Sequence, residues 1–153
     1  MDDTAAEPLT LSPYDVFGFD DCSLQYEDLV KEGYTSMSRL QYERAIRSGQ
    51  LYFEYDDWLV ERLPAWQFHK QAPVVLPSLL PKLFGMYGSW VPIFLKRGFV
   101  GLYGLTPAET IMGNMFSHRS QITDEMVHFL STPAVNRVDS IMHLTYRSQF
   151  KNV

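Results

Sequence analysis

Two Asp–His pairs stand at helical spacing, Asp124 with His128 and Asp139 with His143. Residues four apart share one face of a helix, so each pair can set a carboxylate against an imidazole and orient it, or begin a metal site. Zinc needs three or four convergent ligands, and the remaining histidines, His69 and His118, fall in unrelated segments. The pairs therefore read as exposed helix pairs, and no metal is expected. Cys22 follows Asp20 and Asp21. Those carboxylates suppress the thiolate form, the opposite of what an activated nucleophile needs. Gly98, Gly101 and Gly104 make a glycine-rich run before a helix start. A phosphate loop would also need a Lys-Ser/Thr pair or a Gly-x-Gly-x-x-Gly spacing, so the run reads as a structural turn. No catalytic or cofactor-binding residue is expected, and the chain is read as a binding protein, not an enzyme.

The bulk properties agree. The chain has 153 residues, 46% of them apolar and 20% charged. That is enough to bury a core without disulfides or a structural metal. One cysteine cannot form an internal disulfide, and the Met-Asp-Asp-Thr start has no basic-then-apolar leader pattern. A cytoplasmic, reducing location is the expectation. The most apolar stretch, 72–95, is interrupted by Pro73, Pro77, Pro81, Pro92 and Lys82. It reads as buried helices and turns, because a membrane span needs about 20 uninterrupted apolar residues. The net charge of −5 is uneven: residues 1–34 carry nine acids and one base, residues 35–153 nine acids and twelve bases. An acidic N-terminal segment repels phosphates, so charge gives nucleic-acid binding no support.

Residues 1–21 read as an acidic tail, partly disordered, whose apolar residues allow part of it to dock. A helix is expected from Ser23, with Ser23 as N-cap and Gly33 as its end. A second is expected within 35–48, closed by Gly49. Residues 50–68 read as a hairpin around an Asp56-Asp57 turn, with Pro64 limiting the return strand. Apolar spacing then switches to a helical period. Leu76, Leu79, Leu80, Leu83 and Phe84 form one stripe, broken by Gly85 and Gly88, and Ser89 is placed to cap the next helix. Thr106-Pro107-Ala108-Glu109 combines an N-cap, a first-position proline and a capping-box acid. Ile111, Met112 and Met115 are expected to fill that helix. Two more helices follow, from about 123 to 130 and from 133 to about 150, the second repeating the cap-then-proline pattern at Thr132-Pro133. Trp58, Trp66 and Trp90 each read as core, with interface anchoring the alternative.

Two stretches together carry a resemblance. The first is Ser48-Gly49-Gln50-Leu51, a hairpin, then Pro64-Ala65-Trp66-Gln67-Phe68. The second is Trp90 with Phe94-Leu95, then Leu102-x-Gly104-x-Thr106-Pro107-x-Glu109. Over roughly residues 36–116 the chain resembles small bacterial antitoxins with a C-terminal antitoxin/toxin-binding domain, partners of RES-domain and related NAD-consuming toxins. In that family the Pro-Ala-Trp-Gln-Phe run is a strand. Here Lys96-Arg97-Gly98-Phe99 replaces the usual segment after Phe-Leu, and Tyr103 stands in place of a glycine.

The resulting expectation is a mainly α fold. A helix-turn-helix-like N-terminal half with a short β-hairpin precedes a compact C-terminal helical bundle. Residues 22–70 read as a degenerate winged helix-turn-helix-like region and 71–153 as the partner-binding region. The resemblance implies an antitoxin that neutralises a toxin by blocking its active site. A phage-borne or immunity-type inhibitor, or a DNA-binding regulator, stays open, as does a homodimer. Partner contact is expected at Lys96, Arg97, Phe99 and Tyr103, whose mix of charge and aromatic rings is enriched at hot spots. Arg39, Arg44 and Arg47 are the candidates for weak DNA contact, with Glu43 interleaved.

Overall fold

A computed structural model describes residues 17–19, 22–69 and 72–151. The chain is mainly helical. The rest of the acidic tail, including the disorder expected of it, lies outside the described residues.

The N-terminal half runs β1 (Phe17–Phe19), β2 (Ser23–Leu24), α1 (Tyr26–Lys31), α2 (Arg39–Arg47), β3 (Glu54–Tyr55) and β4 (Glu61–Pro64). β2, β4 and β3 make an antiparallel sheet in that order, with Ser23 opposite Pro64 and Glu54 opposite Arg62. Ser23 is thus a strand residue, and α1 starts three residues later, behind Gln25, which makes no side-chain cap. The expected Ser23 cap is wrong because long-range pairing claims that backbone. α2 carries a full capping box: the Ser38 hydroxyl accepts from Gln41 N–H, and the Gln41 amide oxygen accepts from Ser38 N–H at 2.8 Å. Gly49, at φ +75°, follows its end as expected. Leu29, Tyr42, Ala45, Leu51, Leu63 and Ala65 bury together as a small core under this half.

Pro64 ends β4. Ala65–Phe68 is a 3₁₀ turn, not the strand that the resemblance implies. Gln67, buried, explains the bend. Its amide bonds both the N–H and the C=O of Tyr52, at 2.9 and 2.8 Å, replacing a strand partner with a side chain. The turn drives Trp66 into the main core beside Tyr52.

The C-terminal half runs α3 (Ala72–Tyr87), α4 (Val91–Lys96), α5 (Pro107–Met112), β5 (Met115–Phe116), α6 (Asp124–Leu130) and α7 (Ala134–Lys151). Leu76, Leu79, Leu80 and Leu83 line the buried side of α3. Each such side chain contributes roughly 1.5–3 kcal/mol by leaving water. Pro77, Pro81 and Gly85 lie at four-residue intervals on the exposed side. There the carbonyls left without donors can meet water, so the helix continues through all three, contrary to the expected break at Gly85. The break falls at Gly88, whose φ is +55°. Residues 88–90 form a 3₁₀ turn, Trp90 precedes α4 without a side-chain cap, and Ser89 does not cap it.

α5 has the predicted box. Thr106 Oγ1 accepts from Glu109 N–H at 3.1 Å, and Glu109 accepts from Thr106 N–H at 3.0 Å. The helix closes at Gly113, φ +68°, so Met115 belongs to the strand beyond it. α6 begins close to the expected start, and Thr123 caps it, its hydroxyl accepting from Met126 N–H at 3.2 Å. The Thr132 hydroxyl donates to the Phe129 carbonyl, finishing α6 instead of starting α7. β5 pairs in parallel with β1, so the N-terminal strand reaches the C-terminal half.

Candidate partner-binding surface

Of the four residues expected to contact a partner, Lys96 ends α4 and Arg97, Phe99 and Tyr103 lie in the connection from α4 to α5, whose glycines explain its shape. A Cβ on Gly98 would lie 2.7 Å from the Gly104 carbonyl oxygen, so the two ends of the loop can touch only without that atom. Phe99 N–H donates to Leu105 O at 3.1 Å, and Gly104 N–H to Phe99 O at 2.8 Å. Between them Val100–Leu102 makes one 3₁₀ turn, and Tyr103 sits in the left-handed region at φ +61°. Non-glycine residues rarely adopt that conformation without support. Leu102 is the buried anchor; Val100 is 96% exposed and Tyr103 50% exposed. Charge and aromatic rings thus sit on a fastened turn.

The four residues differ in what they can offer. Arg97 is exposed, with its guanidinium 5.4 Å from the Phe99 ring centroid. Phe99 is half-buried and stacks obliquely on Phe94, with centroids 5.3 Å apart. Tyr103 rests against Phe129 at 5.1 Å and leaves half its surface open. Lys96 is engaged: its Nζ lies 2.9 Å from Glu54 Oε1, tying α4 to β3. Phe99 and Lys96 therefore position the surface, while Arg97, Val100 and Tyr103 present it.

Two polar knots hold the elements that carry this turn. Glu109 is fully buried and accepts from Thr106 N–H, Thr106 hydroxyl, Phe116 N–H and Arg119, whose Nε lies 2.8 Å from Oε2. Burial alone would raise its pKa. Arg119 and the Thr106 and Phe116 N–H groups outweigh burial and hold the carboxyl below the ordinary range. Arg119 also reaches the Gly104 carbonyl at 3.4 Å, closing the connection from below. Arg137, buried on α7, donates to Thr110 O at 2.8 Å, Leu130 O at 3.3 Å and Thr132 O. It gathers carbonyls at the ends of α5 and α6, where helix dipoles favour a cation. Burial lowers its pKa.

Trp58 and Trp90, read as core from the sequence, are 86% and 64% exposed; only Trp66 is buried. Ile93 is 58% exposed beside Trp90. A signal existed: Val91, Phe94 and Leu95 make the buried stripe of α4, and Ile93 falls out of its phase.

Asp124, His128, Asp139 and His143 are exposed on α6 and α7. His118 stacks on Phe116, 5.2 Å between centroids. Among the described residues no group of three or more His, Cys, Asp or Glu side chains could hold a metal. Arg39 is occupied on α2 by Glu27 and, at 3.7 Å, Glu43, and it lies over the Tyr26 and Tyr42 rings. Arg44 and Arg47 are exposed. No helix among the described residues is long and apolar enough to cross a membrane. No family model, curated protein or solved structure matches the chain.

Proposed function

We propose that the protein is an antitoxin-like binding module that neutralises a partner toxin in the bacterial cytoplasm by covering its active site. The observation that carries this reading is the α4–α5 turn. It presents Val100, Tyr103 and Arg97 on backbone fastened at both ends, a rigid apolar, aromatic and cationic surface of the kind enriched at hot spots. The sequence resemblance to toxin-binding antitoxins supports the choice of partner class. Blocking needs shape and anchors, and no catalytic group. A phage-borne or immunity-type inhibitor would use the same surface against a different enzyme.

The test is co-expression with the product of the adjacent reading frame. Growth should be arrested by that product alone and rescued by this chain. Arg97→Glu with Val100→Asp should abolish both rescue and co-purification, while the circular dichroism melt stays within a few degrees. Rescue at full strength by that variant would remove the turn from the binding site.

DNA binding is the second reading, and one observation favours it: β2, α1, α2, β3 and β4 follow each other as strand, two helices and a winged hairpin. Against it, Asp56 and Asp57 stand at the hairpin turn and Arg39 is neutralised. Binding through Arg44 and Arg47 should be weak, indifferent to sequence and steeply lost as salt rises. A tight, sequence-specific complex in a mobility-shift assay would put this reading first.

A further inference from the structure

The tip of the β3–β4 hairpin offers large apolar side chains to solvent, with Trp58 86% and Leu59 79% exposed. The tip is well built. Asp56 Oδ1 accepts from Trp58 N–H at 2.8 Å and from Val60 N–H at 3.0 Å, and Oδ2 accepts from Arg62 Nε at 2.8 Å. The Leu59 N–H closes on the Asp56 carbonyl at 2.9 Å. This network holds Leu59 at φ +60°. Glycine or asparagine would take that conformation more readily. Within one chain the leucine gains almost no burial in return, so neither the turn nor the core accounts for it. Backbone strain of this kind clusters at binding and switch sites, which makes the hairpin tip a candidate contact.

A complementary surface stands on α4. Trp90, which leads into α4, and Ile93, three residues on, are exposed there, and Arg97 follows at its end. The tip carries the exposed carboxylate of Asp57. One patch is therefore apolar and anionic, the other apolar and cationic. Lys96 and Glu54 pin the base of the hairpin beside the end of α4, so the two patches keep a fixed relation within a chain. Their exposure shows that they do not cover one another there.

We propose that the hairpin tip of one chain seats on the α4 face of a second copy, and reciprocally, in a twofold dimer: Trp58 and Leu59 against Trp90 and Ile93, with Asp57 facing Arg97. Twofold symmetry makes each contact twice, doubling what either patch alone can bury. Arg97 also belongs to the proposed partner surface. Self-association and partner capture therefore exclude each other, and the dimer is the form that waits.

Sedimentation equilibrium of the full chain alone, over about 1–100 µM, tests this in the range where weak non-obligate pairs dissociate. A monomer–dimer equilibrium is expected. Trp58→Ala should weaken it by about 30-fold or more, the scale of a hot-spot truncation. Asp57→Arg and Arg97→Asp should each weaken it by about tenfold, and the two together should restore most of the loss, because the reversed charges again face each other. All three positions are exposed, and unchanged circular dichroism will certify the fold. A monomer at every concentration overturns the proposal. So does a dimer indifferent to Trp58→Ala, or charge reversals whose losses add. No partner is present in this experiment, so its failure leaves the antitoxin reading standing, and loss of partner binding leaves the dimer standing.

Discussion

Glu109→Ala is the most informative single change in the body of the protein. The carboxylate is fully buried and is shared by Thr106, Phe116 and Arg119. Removing it leaves the Arg119 guanidinium, only 17% exposed, without its anion, and strips the Thr106 and Phe116 N–H groups of their acceptor. Breaking a buried pair from one side costs about 3–5 kcal/mol. At about 2–4 °C per kcal/mol for a chain of this length, the melting temperature should fall by roughly 6–20 °C. Urea denaturation followed by circular dichroism measures the loss directly. Arg119→Met added to Glu109→Ala should recover part of it, since no unpaired charge remains. The pH dependence has a definite sign. The folded carboxyl titrates below its unfolded value, so its stabilisation is complete above the unfolded pKa of about 4.3 and is lost as pH falls through the folded value. Glu109→Gln should flatten that acid limb. A loss below about 1 kcal/mol for Glu109→Ala, or strict additivity with Arg119→Met, would refute the claim that this carboxylate joins α5 to the segment after β5.

Three further changes test other elements. Thr106→Ala removes the hydroxyl that caps α5 and should cost about 1 kcal/mol in a denaturant series, less than additively with Glu109→Ala because one box is shared. Gly98→Ala should cost about 1–3 kcal/mol by forcing a Cβ against the Gly104 carbonyl, read as a lower urea midpoint with unchanged m-value. Leu59→Gly should stabilise the isolated chain by up to about 1 kcal/mol, the strain released less the added chain entropy, in the same urea measurement.

What could be read from the sequence was what is decided locally. The Thr106 cap, Gly49 and the Asp56 turn need only a few neighbouring residues, and all stand where the residue order puts them. Ser23 failed for the opposite reason. It has the local chemistry of a cap, but its strand pairs with Pro64. The 3₁₀ turn at Ala65 follows from Gln67 reaching back to Tyr52, a side-chain bond that no periodicity encodes. Pro77 and Pro81 look like breakers one at a time; only their four-residue spacing shows them sharing the wet side of a continuous helix. On the candidate surface, the glycines and aromatic rings marked the turn. The engagement of Lys96 by Glu54, 42 residues earlier in the chain, could not be read from spacing.

The pairing of β1 with β5 has a consequence for how the chain is made. Phe17 meets Met115, so the earlier strand waits through about a hundred residues for its neighbour. β2 finds β4 much sooner. On the ribosome the β2–β4–β3 sheet and its two helices can therefore assemble while Phe17–Phe19 still has no strand to join, and that strand is fastened only after β5 has emerged. A protease acting before that moment meets Phe17–Phe19 as an unpaired strand in a chain whose β2–β4–β3 sheet is already closed.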